Sequence, residues 1–206
     1  MADKKCLVFS GPSGSGKSTL IKYVLQTFES VVGTTVSCTT RQRRHSETDG
    51  IDYHFIANDE FDALVERGEF LEYTECYGNR YGTLKSAVHD VLRDKDLCVI
   101  DMDFNGACRI LTENAVNEYA CQGVLVLPPS LKTLENRLRL RKTETSESIK
   151  RRIDESFNAP RIARYEYVIV NNHLESALAE VREIVENLMP NLRSLEATAV
   201  SRKASV

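Results

Sequence analysis

The sequence lacks the features that mark several large classes of protein. Nothing in its 206 residues approaches the ~18 consecutive apolar residues that a membrane-spanning helix requires. We find no internal repeat and no low-complexity tract. Hydrophobic residues make up 42% and charged residues 28%, an ordinary composition for a globular protein that argues against disorder. The length predicts one domain with an elaboration.

Neither a strong net charge nor a cysteine framework is present. The formal net charge of −3 argues against a nucleic-acid partner, so any basic site must be local. The six cysteines are scattered without a C-x-x-C pair, which argues against a metal site built from cysteines and against a disulfide scaffold. The first residues show no apolar signal core and the last match no retention or lipidation signal. We therefore expect a cytoplasmic protein without a membrane partner.

Short apolar runs alternate with segments of helical period, which predicts an α/β fold with a mainly parallel sheet. The predicted strands cover residues 6–10, 34–38, 53–56, 70–77, 97–101, 123–127 and 167–170. The predicted helices cover residues 18–28, 58–68, a segment that opens at Ser130, and 174–188. Residues 33–90 hold short, polar, alternating strands, which favours an inserted antiparallel β lobe over another βαβ unit.

The strongest motif comes directly after the first predicted strand. It fits G-x-x-x-x-G-K-[ST] and consists of Gly11, Pro12, Ser13, Gly14, Ser15, Gly16, Lys17 and Ser18. Such a loop turns successive N–H groups toward phosphate oxygens, and the helix that follows adds the positive end of its dipole. Lys17 would reach the β- and γ-phosphates of a nucleoside triphosphate and Ser18 would ligate Mg²⁺. We include Thr19 among the ATP-binding residues.

Two further features accompany this loop. The apolar run 97–101 ends in Asp101, a position from which an acid orients Mg²⁺ through water in P-loop enzymes. The segment 36–44 ends a strand with hydroxyls and guanidiniums, and its Arg41 and Arg44 are spaced to hold a dianionic phosphate. The segments 50–55, 70–73 and 78–83 follow, and then Asp103.

In this order the motifs resemble those of guanylate kinases, the P-loop nucleoside monophosphate kinases that transfer phosphate from ATP to GMP. The resemblance covers roughly residues 5–189. It implies a P-loop NTPase-type parallel sheet flanked by helices, a small β-rich GMP-binding lobe and a helical lid. It implies that the GMP phosphate is held by Ser37, Arg41, Arg44, Tyr53 and Tyr81. It implies that guanine is read by Glu72, Thr83 and Asp103.

The chemistry of guanine favours the same assignment. Guanine presents N1–H and N2–H₂ side by side, and a carboxylate accepts both, whereas the unprotonated N1 of adenine would be repelled. A buried site of this kind discriminates by ~10⁴ or more.

A basic segment follows the core motifs. Residues 132–152 carry eight basic and three acidic side chains, a local net charge of +5. The resemblance places residues 131–160 in a lid that closes over ATP, excludes water, and brings Arg137, Arg141 and Arg152 to the transferring phosphates. With Lys17 and Arg41, these arginines complete the predicted catalytic set. Arg137 and Asn171 join the ATP-binding residues.

The chain also departs from the family pattern. Lys142 stands where relatives often carry Gly, Pro160 lies within a usually continuous helix, and Asn172 stands where Asp is typical. These departures leave ATP binding as the expectation and put adenine specificity in question.

We assign residues 1–190 to one domain, with a core of 4–32, 95–130 and 165–190, a lobe of 33–90 and the lid. Residues 191–206 lose periodicity, which predicts a disordered tail. The predicted function is Mg²⁺-dependent phosphoryl transfer from ATP to GMP, and to dGMP, by a monomer or a dimer.

Two alternatives remain open. One is a guanylate-kinase-like scaffold domain that binds phosphopeptides, against which the intact Gly16-Lys17-Ser18 argues. The other is a P-loop kinase for another monophosphate, against which Glu72, Thr83 and Asp103 argue.

Overall fold

The structure is a computed structural model that describes residues 4–76, 78–112, 119–140 and 165–190. Its strands are β1 (Lys5–Ser10), β2 (Val32–Thr34), β3 (Cys38–Thr39), β4 (His54–Phe55), β5 (Phe70–Cys76), β6 (Asn79–Leu84), β7 (Leu97–Asp101), β8 (Ala120–Leu127) and β9 (Tyr167–Val170). Its helices are α1 (Lys17–Thr27), α2 (Asn58–Glu66), α3 (Lys85–Asp94), α4 (Phe104–Thr112), α5 (Leu131–Leu140) and α6 (Leu174–Leu188).

Five parallel strands form the larger sheet, in the order β2-β7-β1-β8-β9. This confirms the predicted α/β class with a parallel core flanked by helices. Because the strands run the same way, their carboxyl ends meet at one edge, where ligands bind in open sheets of this type. The register places Phe9 of β1 opposite Asp101 of β7, so the G-x-x-x-x-G-K-S loop and the acid lie side by side.

Helices cover both faces of this sheet. On β1, Leu7 and Phe9 pack in the cluster that includes residues of α1 and α6, while Cys6 and Val8 pack in the cluster that includes residues of α3 and α4. Burial on two faces explains why the strand reads as a continuous apolar run rather than an alternating one.

The smaller sheet has the order β4-β3-β6-β5. Its β3–β6 and β5–β6 pairs are antiparallel, as predicted for the lobe, but β3 and β4 are parallel, so the prediction of an antiparallel lobe is wrong for this one pair. The long connection 40–53 allows the chain to return in the same direction. Phe61 of α2 stacks on Phe70 at a centroid distance of 4.5 Å and closes one face.

The predicted strand 34–38 is also wrong. Val32–Thr34 pairs with β7 in the larger sheet, whereas Cys38–Thr39 pairs in the smaller one. Residues 35–37 therefore cross between the sheets. Gly33 and Thr34, part of the predicted lobe, lie in the core sheet. The division into core, lobe and lid otherwise stays a prediction. Residues 141–160 of the predicted lid and the whole predicted tail, 191–206, lie outside the described residues.

Within the described ranges, no helix combines the length and the apolar character that crossing a bilayer demands.

Candidate active site

The phosphate-binding loop depends on glycine at three positions with positive φ. Gly11, Gly14 and Gly16 have φ of 138°, 90° and 103°. Residues other than glycine rarely adopt such positive values. A Cβ at Gly11 would collide with the Val126 carbonyl, and one at Gly16 with the Asn171 amide. Because α1 begins at Lys17, immediately after Gly16, the loop ends at the positive end of a helix dipole.

Asn171 and Arg137 hold this loop through hydrogen bonds to the Ser15 carbonyl. The Asn171 side chain is only 5% exposed, and its amide donates a hydrogen bond of 2.8 Å to the Ser15 carbonyl. Arg137 donates to the same carbonyl at 3.3 Å and to the Asn171 carbonyl at 2.9 Å. Two predicted ATP-binding residues, from β9's end and from α5, thus meet on the loop and fix its shape.

Lys17 and Asp101 lie close enough for their charges to interact. The Lys17 ammonium donates to the Gly11 carbonyl at 2.6 Å. Asp101 ends β7 and its side chain reaches solvent. Burial raises the pKa of Asp101, and the Lys17 charge opposes that rise.

The residues present fit a magnesium ion bound mainly through nucleotide phosphates. Ser18 is exposed in the first turn of α1, and Asp101 offers a carboxylate at the neighbouring strand end. Mg²⁺ uses few protein oxygens and keeps several waters when it binds a nucleotide. In the described part of the chain, no group of three or more His, Cys, Asp and Glu side chains could hold a metal ion.

A cluster of cationic and aromatic side chains forms around Arg41, just after β3. Its guanidinium lies 5.4 Å from the Tyr53 ring centroid, and the Tyr53 and Tyr81 rings are 6.0 Å apart. Burial raises the pKa of Tyr53 to about 12, and the nearby Asp101 charge adds to the rise. The structure therefore brings the predicted phosphate residues together and turns Tyr53 toward the end of β7.

Arg41 and Arg44 share one acidic partner, Glu47. Arg41 Nη1 and Nη2 donate to Glu47 Oε2 and Oε1, each at 2.9 Å. The Arg44 amide donates to Oε2 at 2.8 Å, and the Arg44 guanidinium lies 3.6 Å from Oε1. The hydrogen bond from Arg41 lowers the pKa of Glu47 against the effect of burial.

The predicted guanine-reading residues form a second cluster on β5 and β6. Thr83 donates a hydrogen bond of 3.0 Å to Glu72 Oε1, and the Ser37 and Thr83 hydroxyls lie 3.4 Å apart. Glu72 is 6% exposed, and no described residue donates a hydrogen bond to its Oε2. Burial raises the pKa of Glu72 to about 7; the Thr83 hydrogen bond opposes this and the Asp103 charge adds to it.

Asp103 lies near Glu72, directly before α4. Its Oδ1 accepts a hydrogen bond of 2.8 Å from the Gly106 amide, and burial raises its pKa. Gly106 also backs the Glu72 carboxylate, because a Cβ there would lie 2.6 Å from Glu72 Oε2. The absence of a side chain at Gly106 thus lets α4 approach β5 closely.

Sequence reasoning missed Glu47 and Arg109. Arg109 donates a hydrogen bond of 3.0 Å to the Tyr73 carbonyl, lies 5.5 Å from the Tyr73 ring centroid, and lowers the pKa of Glu72. An acid in the arginine-rich segment 41–47 was a usable signal for Glu47. For Arg109 there was none, since its partners come from β5.

A cavity of about 670 Å³ opens beside this cluster, and none of the predicted site residues lines it. Its lining residues are Tyr73, Thr74, Glu75, Arg80, Asn105, Cys108 and Arg109. Arg141 and Arg152, together with Lys142 and Pro160, lie outside the described residues.

The fold and these clusters define a P-loop nucleotide-binding protein of the α/β class with a second, smaller sheet beside the loop. The family model "Guanylate kinase" matches residues 3–188, so the chain belongs to the guanylate kinase family.

Its curated relatives include "Guanylate kinase" of Homo sapiens, 40% identical over 189 residues, which cover 89% of this chain and 93% of the human protein. "Guanylate kinase" of Anaeromyxobacter dehalogenans is 40% identical over 183 residues, which cover 88% of this chain and 79% of that protein. The crystal structure of guanylate kinase from Anaplasma phagocytophilum matches with a TM-score of 0.63 and 26% identity, over 91% of this chain and 87% of that one. These relatives do not favour the scaffold domain or a kinase for another monophosphate.

Proposed function

We propose that this protein transfers the γ-phosphoryl group of ATP to GMP, giving ADP and GDP, with Mg²⁺. The observation that carries the proposal is the buried Glu72 carboxylate, which uses Oε1 for Thr83 and leaves Oε2 without a donor among the described residues. A buried oxygen without a donor costs about 1–3 kcal/mol. A ligand that donates to it offsets that cost.

Guanine has the donors that this carboxylate needs. Its N1–H and N2–H₂ point the same way, so both reach one carboxylate, whereas adenine presents an acceptor at N1. Asp103, near Glu72, would accept a further hydrogen bond from the base. The acidic pair therefore selects guanine by hydrogen bonding and excludes adenine by repulsion.

The acceptor phosphate would bind at the other cluster. Arg41 and Arg44 supply the positive charge, Tyr53 and Tyr81 supply hydroxyls, and Ser37 joins this cluster to Thr83. Because Tyr53 lies near Asp101, the acceptor phosphate would point toward the phosphate-binding loop, as in-line transfer requires.

The donor triphosphate would lie on the loop 11–18, held by its amides and by Lys17. Ser18 directly, and Asp101 through water, would hold Mg²⁺, which supplies charge neutralisation on the β- and γ-phosphates. Phosphoryl transfer needs alignment and charge stabilisation rather than a nucleophilic side chain. Arg137 lies against the loop, and Arg141 and Arg152 would complete the cationic set when the lid closes.

The test is an assay of ADP release with a panel of acceptors at fixed ATP and Mg²⁺. We expect turnover with GMP and dGMP, weaker turnover with IMP, which lacks the 2-amino donor, and little with AMP, UMP, CMP or dTMP. An acceptor other than a guanine nucleotide as the best substrate would overturn the proposal.

A further inference from the structure

Glu47 is the centre of the turn formed by residues 41–47. Its amide donates to the Arg44 carbonyl at 3.1 Å, and Arg43 donates to its carbonyl at 2.7 Å. Its carboxylate accepts from the Arg41 guanidinium and from the Arg44 amide. One residue thus closes the turn through its backbone and fixes both predicted phosphate-binding arginines through its side chain.

The geometry of the pair determines which edge of Arg41 faces a ligand. A guanidinium has five N–H donors. Glu47 and the Gln42 carbonyl accept from Nη1, at 2.9 Å and 2.8 Å, and Glu47 accepts from Nη2 at 2.9 Å. These contacts occupy the Nη1–Nη2 edge. The side edge, formed by Nε–H and the second Nη2 hydrogen, is the other edge at which Arg binds an oxyanion with two parallel hydrogen bonds.

The surroundings hold the guanidinium in that orientation. The rings of Tyr53 and Phe55 lie 5.4 Å and 5.6 Å from it. Burial would lower the pKa of Arg41, but Glu47, and in a smaller part Tyr81, raise it above its usual value. The side chains of Arg41 and Glu47 are 15% and 13% exposed, so solvent screens this ion pair less than a surface pair.

We propose that Glu47 is a positioning residue for the acceptor phosphate: its carboxylate aims the side edge of Arg41 and sets the spacing between Arg41 and Arg44. This inference deepens the proposed function and rests on it. The Glu47 carboxylate also offsets the repulsion between the guanidiniums of Arg41 and Arg44, so the two can stay close together. Fixing them before GMP arrives removes the ordering cost from the binding step.

The test compares E47Q with a control, E66Q, which removes a charge from an exposed residue at the end of α2. We expect E47Q to raise KM for GMP by about ten- to a hundredfold, the effect of losing one hydrogen bond between charged groups. We expect KM for ATP and kcat to change by less than about twofold, because the lost interaction orients the acceptor alone. E66Q should match the wild type.

Guanosine separates phosphate positioning from general damage to the lobe. It carries the base and sugar without the phosphate, so its inhibition constant should be the same in E47Q and in the wild type. If E47Q bound guanosine and GMP more weakly by the same factor, the proposal would be overturned. A lower KM for GMP would also overturn it, because that result would mean that Glu47 competes with the phosphate for the arginines.

Two further measurements guard against misfolding and against an error in the proposed function. E47D keeps the carboxylate but shortens its reach. If E47Q does not fold, E47D should still raise KM for GMP without changing KM for ATP. An unchanged KM for GMP in E47D would contradict the proposal. If the acceptor panel identifies another monophosphate, the proposed function fails. The same comparison with that monophosphate and its nucleoside then tests Glu47 separately.

Discussion

Replacing Glu72 with Gln tests the guanine site most directly. The change preserves the size of the side chain and the acceptor that Thr83 binds at 3.0 Å. It replaces the negative charge and exchanges Oε2 for an N–H₂ group, which would meet the N–H donors of guanine. The substitution therefore affects recognition of the base while leaving the packing of β5 and β6 nearly unchanged.

The magnitude follows from the hydrogen bonds that are lost. Two hydrogen bonds to a charged acceptor contribute about 1.5–3 kcal/mol each, so kcat/KM for GMP should fall by about 10²–10⁴-fold. In the protein without ligand, burial raises the pKa of Glu72 from 4.5 to about 7. Ionised Glu72 therefore destabilises the folded state by about 3 kcal/mol at alkaline pH. E72Q should therefore be more stable than the wild type by up to that amount.

The sign of this stability difference depends on pH. An acid whose pKa is raised by folding stabilises the folded state below its unfolded pKa, and this contribution is lost as pH rises through the folded pKa. The advantage of E72Q should appear between about pH 4.5 and 7 and be constant above that. Denaturant unfolding at pH 4, 6 and 8 measures it, and ADP release with GMP, IMP and AMP measures selectivity.

The control for both assays is E75Q, an exposed residue on the same strand. It should leave selectivity and stability unchanged. If E72Q retained the preference of the wild type for GMP over AMP, base recognition would lie elsewhere. If E72Q were less stable than the wild type at pH 8, the protein itself would stabilise the ionised carboxylate. The argument that this carboxylate needs hydrogen-bond donors from a ligand would then fail.

Three further predictions concern the same site. Because burial raises the pKa of Glu72 to about 7, kcat/KM for GMP should fall as pH decreases below about 7, and E72Q should lack this limb of the pH–rate profile. K17A should lose most of the rate while its unfolding transition stays near that of the wild type, since Lys17 acts on phosphates; near-normal turnover would contradict its role. N171A removes the buried hydrogen bond to the Ser15 carbonyl, so it should lower the free energy of unfolding by about 1–3 kcal/mol and raise KM for ATP. The control N172A, at an exposed neighbour, should lower the free energy of unfolding by less than about 0.5 kcal/mol.

The phosphate-binding loop could be predicted from the sequence because its requirements are local. Glycines at positions 11, 14 and 16 supply backbone conformations that few other residues adopt, and the flanking strand and helix have clear periodicity. The parallel core was predictable for a similar reason, since strands buried on both faces read as apolar runs. In each case the signal lies within one short stretch of the chain.

The parts that sequence reasoning missed depend on contacts between distant segments. β6 has no alternating apolar pattern and is held by pairing with β3 and β5, which no local pattern records. The boundary between the sheets falls at residues 35–37 because β2 pairs with β7. Arg109 gains its role only when α4 packs against β5.

The distribution of charge explains how a site with several acids can bind two anionic nucleotides. At the base end, Glu72 and Asp103 repel phosphate and accept hydrogen bonds from a purine. At the phosphate end, the single charge of Glu47 is outnumbered by those of Arg41 and Arg44, so this end and the loop around Lys17 attract anions. A nucleoside monophosphate entering backwards would place its phosphate against two carboxylates, so electrostatics alone admits one orientation. That orientation presents the phosphate to the loop, and base selection and phosphate alignment are therefore coupled through the same charges.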